Sequence, residues 1–464
     1  MIARRFVWVI TLACASLHVA SADESTAPVA AFRTDWGIQL GPIKLTPGGF
    51  LEFTSLYRQR NETADIGSSF AGIPFPNNNN YYIKEFRETA RNSRLSLLAE
   101  GPSDYKFKAE GYVETDFVSA GTTSNANESN SYTQRVRQVY LSGSRPDLGW
   151  AVLAGQAWSL ATPYRNGLAA RQEDIPLVDD GQYYTGFNWA RQTQFRVVKT
   201  FSPAVAVGLS LESAQNSLKG NVPTGATASN PGGAGLNSTA TYSTDIAPDT
   251  ILKLALNPGF GHYELYSLTR FLHDRAPNVP GVLSTETSHT TVAQSFGGSL
   301  ILPLWGNWLE LHATTLIGHG NGRYGSAQLS DATYNTRNGS IAALREQQGL
   351  VGLIAHPSAT FDVFVYGGLE QQTAAYGLIP ADNSACSTNF ANLGSLPSTA
   401  QCGGVGRVRQ IASGFIWKAY RGPLGYITVG PEVEYVKDTT YTARNGTSAN
   451  TNDTMVYFTI RYYP

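Results

Sequence analysis

The chain alternates between short turns and long loops from about residue 48 to its last residue. Between these connections lie about sixteen stretches of roughly nine to eleven residues, in which apolar and polar side chains take alternate positions. A strand with this pattern presents one face to hydrocarbon and the other to water. The chain has no apolar run of transmembrane-helix length. Only helices and closed barrels can cross a bilayer, because every backbone polar group there needs a partner. The pattern therefore predicts an all-β fold, a transmembrane antiparallel β-barrel of about 16 strands.

One stretch, 105–117, shows why the polar face needs water. Phe107, Ala109 and Val113 share one side of it, while five charged side chains lie on the other. Such a charged face is stable only toward an aqueous lumen or opposite charges. Stretch 105–117 and the strand before it, which contains Arg94, together predict a charged pore wall. Its residues are Arg94, Lys108, Glu110, Glu114 and Asp116.

The connections predict the topology of the barrel. Seven short turns rich in Pro and Gly alternate with eight long loops, which is the number of connections that sixteen strands require. This arrangement puts both chain ends on the short-turn side, which is the periplasm in bacterial barrels. The opening strand is expected at 48–58. Around 135–142 no regular register turns both Arg135 and Arg137 inward while keeping Val139 and Leu141 outward, so a β-bulge is expected there.

Composition narrows the possible partners. Charged residues make up 15% of the chain, with 34 basic against 35 acidic side chains. This balance argues against a nucleic-acid surface, which needs an excess of Lys and Arg. Residues 1–22 have the charged start, the short apolar run and the Ala20-Ser21-Ala22 cleavage pattern of a secretory signal peptide. The expected organisation is a signal peptide at 1–22, a short periplasmic segment at 23–47 and a barrel at 48–464.

Two cysteines remain after the signal peptide, Cys386 and Cys402, and both lie in one long connection. An even pair in an exported protein favours a disulfide, here as a local loop staple. No Cys-His cluster has zinc spacing, and no Gly pair precedes the Lys-Ser/Thr of a phosphate loop. His312 lies near Glu310 on a polar face, but no Ser in a nucleophile-elbow context accompanies them. We therefore expect no catalytic residue, cofactor or metal site.

Four runs carry a resemblance to a known family. They are RNSRLSLLAEGP, the charged strand ending in ETDF, TQRVRQVYLSG and WAVLAGQAWS, all in the first half of the chain. This half resembles trimeric Gram-negative outer-membrane porins, in particular the dicarboxylate-channel-like and acidobacterial groups. The resemblance implies a sixteen-stranded homotrimer whose third extracellular loop folds into the barrel and narrows it. By this likeness the loop is 159–190, and its candidate constriction residues are Arg165, Arg171, Glu173, Asp174, Asp179 and Asp180.

Charge pattern and resemblance together predict a passive porin in the bacterial outer membrane. Its partners would be outer-membrane lipid, small hydrophilic solutes or ions, and two further copies of the chain. The mixed signs of the expected wall charges indicate no preference between anions and cations. The alternative is a barrel without transport, either a surface adhesin or an outer-membrane hydrolase.

Overall fold

The molecule is a closed antiparallel β-barrel of 16 strands, as the sequence predicts. The computed structural model describes residues 37–102, 106–119, 127, 132–218, 226–231, 241–277, 285–306, 308–335, 339–373, 404–442 and 446–464. Within these ranges no helix is long and apolar enough to span a membrane. The signal peptide predicted at 1–22, the first part of the predicted segment 23–47, and both Cys386 and Cys402 lie outside the described residues.

The barrel strands follow one another along the chain and are numbered here in that order. The second strand is interrupted and has two parts. The strands are β1 Ile43–Arg58, β2 Glu85–Thr89 with Arg94–Glu100, β3 Lys108–Asp116, β4 Arg135–Arg145, β5 Trp150–Trp158, β6 Arg191–Ser202, β7 Val205–Glu212, β8 Asp249–Leu256, β9 His262–Pro277, β10 Glu286–Leu304, β11 Leu309–His319, β12 Arg345–Ser358, β13 Phe361–Gln372, β14 Val405–Gly422, β15 Gly425–Thr440 and β16 Asn450–Tyr463.

The barrel closes because the first and last strands pair with each other. Each strand pairs antiparallel with its neighbours in sequence, and β1 also pairs with β16 from Leu51↔Tyr462 to Arg58↔Met455. Closure pairs the two outer strands of the barrel sheet with each other, so neither presents the unpaired backbone groups that a bilayer would not tolerate. Two short two-stranded sheets are separate from the barrel sheet. They pair Ser229–Pro231 with Thr241–Ser243 and Ala332–Tyr334 with Ile341–Ala343.

The barrel carries its apolar residues outside and its polar residues inside. On β15, Val433 and Tyr435 are exposed on the outer surface, while Glu432 and Glu434 are fully buried. The last strand repeats the pattern, with exposed Val456, Phe458 and Ile460 as its sequence predicts. Large exposed aromatic residues cluster on the short-turn side, as expected for a belt at the membrane interface; they include Phe107, Trp150, Phe201, Phe260, Trp305 and Trp308.

The predicted alternation of short turns and long loops is confirmed, but some strand ends differ. The opening strand begins at Ile43 rather than at residue 48. Residues 85–89 form a strand on the outer end of β1. The long loop between β9 and β10 is shortened, because these strands stay paired as far as Pro277↔Glu286. At these outer strand ends both faces of the strand contact water. Apolar and polar residues therefore no longer alternate regularly in the sequence.

The expected β-bulge lies in β4. Asp116 pairs with Arg135 and Thr115 with Val136, but Glu114 pairs with Gln138, so Arg137 has no partner of its own in the register. The extra residue turns both Arg135 and Arg137 toward the lumen, where each forms an ion pair with Asp116. Val139 and Leu141 remain exposed on the outer surface.

The inside-out arrangement predicts opposite responses to a new charge on the two faces. We expect Val351→Arg to lower the free energy of unfolding by roughly 2–4 kcal/mol, because it puts a charge on the lipid face near the middle of β12. Ser144→Arg adds the same charge on the inner face of β4, opposite Lys108, and should cost much less. Urea unfolding from lipid vesicles measures both. Equal losses for the two variants would contradict this assignment of faces.

Candidate channel constriction

The loop 159–190 between β5 and β6 crosses the lumen and binds the opposite wall. Its backbone N–H groups donate to inward-facing side chains of three distant strands. The Asp179 N–H donates to Glu432 Oε2 over 2.6 Å, the Thr185 N–H to Gln410 Oε1 over 2.7 Å, and the Gly186 N–H to Glu370 Oε1 over 2.7 Å. This segment, called the constriction loop below, therefore runs inside the barrel.

Two glycines allow the loop backbone to lie against the wall. Gly186 has φ +85°, a conformation that side chains of L-residues rarely adopt, and a Cβ there would collide with the Gly349 carbonyl. A Cβ on Gly368 of β13 would collide with the carbonyl oxygen of Thr185. Any larger residue at either position would push the loop away from the wall carboxylates.

The first half of the constriction loop folds into a small hairpin. The Arg165 N–H donates to the Gln172 carbonyl over 2.8 Å, and the Asp174 N–H donates to the Pro163 carbonyl over 2.7 Å. Near its tip, Arg171 extends to Glu110 of β3, with 2.9 Å between Nη2 and Oε2. Both of these side chains are about a third exposed, at 31% each. The hairpin tip therefore approaches the predicted pore wall and remains in contact with solvent.

Asp174 anchors the hairpin to the other side of the lumen. Its Oδ2 lies 2.7 Å from His312 Nδ1 of β11, and its Oδ1 lies 3.3 Å from Arg165 Nη2. Burial alone would raise the pKa of the Asp174 carboxyl, but His312 and Arg165 hold it below its ordinary value. His312 also contacts Glu310 through Nε2 at 3.0 Å. Sequence reasoning noted His312 only as half of a possible dyad; its place between two carboxylates depends on the loop.

The remaining predicted loop acids are more buried than a solvated surface would allow. Asp180 accepts the Tyr457 hydroxyl at 2.7 Å and the Ser68 N–H at 3.2 Å, so it ties the loop to β16 and to the loop after β1. Burial raises the pKa of Asp179 to about 7, although Arg461 lies 3.8 Å away. Burial also raises the pKa of Glu173 above its ordinary value.

The predicted wall residues lie on the inner face, and arginines outside the predicted set join them. Glu114 pairs with Arg137 at 2.7 Å, and Asp116 pairs with both Arg135 and Arg137 at 2.7 and 2.9 Å. Lys108 lies on the same inner face near the short-turn end and is exposed. Arg191, at the start of β6, stacks over the Trp158 ring at 4.7 Å.

Tyr183 connects the constriction loop to this basic wall. Its hydroxyl accepts Arg137 Nη2 at 3.1 Å and Arg94 Nη2 at 3.4 Å. Burial alone would raise the pKa of the Tyr183 phenol, but Arg137, Arg94 and Arg191 lower it to about 7. The adjacent Tyr184 faces the opposite way and donates to Glu432 Oε1 over 2.5 Å. Two neighbouring tyrosines therefore brace the loop between a basic wall on β2–β6 and an acidic wall on β12–β15.

The fold is similar to that of solved bacterial outer-membrane channels. The outer membrane channel DcaP of Acinetobacter baumannii matches with a TM-score of 0.63 and 18% identity over 94% of this chain and 100% of that chain. The chain has the fold of an outer-membrane porin. OmpT of Vibrio cholerae (12% identity, 92% of this chain and 100% of that one) and an anion-selective porin from Comamonas acidovorans (11%, 91% and 100%) each have a TM-score of 0.49. No family model and no curated protein matches the chain.

The Asp174 anchor predicts a pH-dependent contribution to stability. We expect Asp174→Asn to lower the free energy of unfolding at pH 7 by roughly 1–3 kcal/mol, because the hydrogen bond with His312 and the ion pair with Arg165 lose their carboxylate. A depressed folded-state pKa gives stability that is present above the unfolded value of about 4 and is lost as the pH falls through the folded value. The difference between variant and wild type should therefore shrink toward pH 3.

Urea unfolding at several pH values measures this difference. Asp147→Asn is the matched control, because Asp147 pairs with Arg145 at an exposed short turn and should change stability little. A loss for Asp174→Asn that stays constant from pH 7 to pH 3 would contradict the anchor.

Proposed function

We propose that the chain is an outer-membrane porin for the passive diffusion of small hydrophilic solutes. The observation that carries the proposal is the constriction loop, which crosses a lumen lined by charges and leaves exposed charged groups at Glu110, Arg171 and Arg135. Such a passage selects solutes by size and by electric field. The fold likeness to a solved outer-membrane channel agrees with this function.

The basic wall would create an electric field at the passage. Arg94, Arg135, Arg137 and Arg191 lie together on this wall, where Glu114 and Asp116 pair with Arg135 and Arg137. A polar solute in this field would be oriented, and the wall groups would replace part of its hydration shell.

The hydrolase alternative is the less favoured reading. The one His-acid arrangement singled out in the sequence is His312 with Glu310, and both ring nitrogens of His312 contact carboxylates, Asp174 through Nδ1 and Glu310 through Nε2. A general base needs a free ring nitrogen toward its nucleophile. We therefore infer a structural role for His312 and a protein that is not an enzyme.

The sequence supports further proposals on export, assembly and a disulfide. We propose export through a cleaved signal peptide at 1–22, a periplasmic segment from residue 23 to the start of β1 at Ile43, and assembly as a homotrimer in the outer membrane. We also propose that Cys386 and Cys402 form a disulfide within their extracellular loop, which an exported protein can keep oxidised. Cofactors have no role in this mechanism.

Conductance across planar lipid bilayers tests the proposal. Purified protein should give stepwise increases in current, in groups of three if the trimer inserts as a unit. Deletion of 167–180 should raise the conductance of each step, because it removes the hairpin tip and the Asp174, Asp179 and Asp180 anchors. Correctly folded protein that stays silent would favour a barrel without transport, and a deletion without effect would mean that the loop is not the constriction.

The basic wall predicts a change in ion selectivity. We expect Arg135→Gln to shift the reversal potential in a salt gradient toward cations, because it removes a partly exposed positive charge beside the passage. Arg145→Gln is the control. Arg145 is equally exposed, at 36% against 34% for Arg135, but lies at a short turn. Equal shifts for both variants, or a shift of Arg135→Gln toward anions, would contradict the placement of the basic wall at the passage.

A further inference from the structure

A second loop lies inside the barrel, against the constriction loop. Residues 321–331, between β11 and β12, are called the cover loop here. The Trp189 N–H donates to the Tyr324 carbonyl over 3.3 Å, and the Ser326 hydroxyl donates to the Phe187 carbonyl over 3.3 Å. Asn188 and Gly325 also form an antiparallel β-bridge. The cover loop therefore pairs with the last part of the constriction loop.

Buried charges hold the cover loop in place. Arg270 of β9 is fully buried and pairs with Asp331 at 2.7 Å and with Asp249 at 3.1 Å. Arg323 and the Tyr324 hydroxyl reach the same Asp249 oxygen at 2.8 and 2.9 Å. Removing one partner from such a buried network leaves a charge uncompensated, which is strongly unfavourable. The loop is thus fixed to the wall and does not depend on the constriction loop alone.

One wall carboxylate binds both loops. Glu370 Oε1 accepts the Gly186 N–H of the constriction loop at 2.7 Å and the Ala327 N–H of the cover loop at 3.0 Å. Gly325 makes this approach possible, because a Cβ there would overlap the Glu370 carboxylate. Glu370 is fully buried. It is the point where the two loops and β13 meet.

The cover loop also accounts for an asymmetry of the lumen. Beneath and beside it, inward-facing side chains such as Arg270 and Glu346 are 0–1% exposed. Across the barrel, Glu110 and Arg135 of β3 and β4 keep 31% and 34% exposure. The inner groups under the cover loop are closed to solvent, whereas Glu110 and Arg135 on the opposite side remain in contact with it.

We propose that the cover loop is a second determinant of the passage: it seals the β8–β13 side of the lumen and confines solutes to the β2–β4 side, with Glu370 as the positioning residue for both loops. This inference rests on the proposed channel function. It assigns part of the size selection to residues that the passing solute does not touch.

Two pairs of variants test the inference in planar bilayers, with neutral polymers of graded size as probes of the passage. Gly325→Val forces the cover loop and the Glu370 carboxylate apart; its control is Gly367→Val, where a Cβ meets nothing within 4 Å. Glu370→Ala removes the shared acceptor, and Glu370→Gln keeps one amide oxygen for the two N–H groups. Folding of each variant is checked by heat-modifiable gel mobility.

We expect Gly325→Val and Glu370→Ala to raise the single-channel conductance roughly 1.5- to 2-fold and to admit larger polymers, because a sealed region of the lumen opens. Gly367→Val should match wild type, and Glu370→Gln should restore most of the wild-type size limit. If the wild type conducts and the folded Gly325→Val and Glu370→Ala variants keep its conductance and size limit, this inference is overturned. The proposed channel function would still stand. A silent wild type would instead remove the proposed function, and this inference with it.

Discussion

The structure depends on one constraint: backbone N–H and C=O groups must find partners wherever lipid or a dry interior replaces water. In the wall, closure through the β1–β16 pairing meets this requirement. Inside the lumen, the constriction loop has no sheet to join. Several of its N–H groups instead donate to side chains of the wall, such as Glu370, Gln410 and Glu432. Inward-facing polar side chains therefore accept hydrogen bonds that the backbone of a neighbouring strand accepts in the barrel wall.

This use of wall side chains explains why so many charges in the barrel are buried. A water-filled tube would leave its inner charges solvated, whereas here Arg137 and Arg270 are enclosed by partners from loops and wall. Buried pairs contribute little net stability over apolar packing, but they are costly to break singly. They therefore favour one loop arrangement over others. A passage of defined cross-section needs such a fixed arrangement, since its selectivity depends on where the charges lie.

The sequence was sufficient for the barrel and insufficient for the partners inside it. Alternation with period two predicts the strands, and the conflict between Arg135 and Val139 predicts the bulge, because both signals are local in the chain. His312 contacts Asp174, and Glu370 contacts two loops. These contacts join residues that are distant in sequence, so they produce no periodic pattern along the chain. Asp179 and Asp180 could be placed in a loop only by resemblance, and their burial against β15 and β16 could not be read from residue type.

Hydrogen–deuterium exchange of peptides covering 177–188 tests most directly whether the constriction loop is bound inside the barrel. The amides of Asp179, Thr185 and Gly186 donate to buried wall side chains, so they should exchange slowly, as strand amides do. Such protection in detergent-folded protein is the expected result. Exchange of these amides as fast as in an unstructured peptide, while the strands remain protected, would show that the loop lies in solvent and would contradict the account.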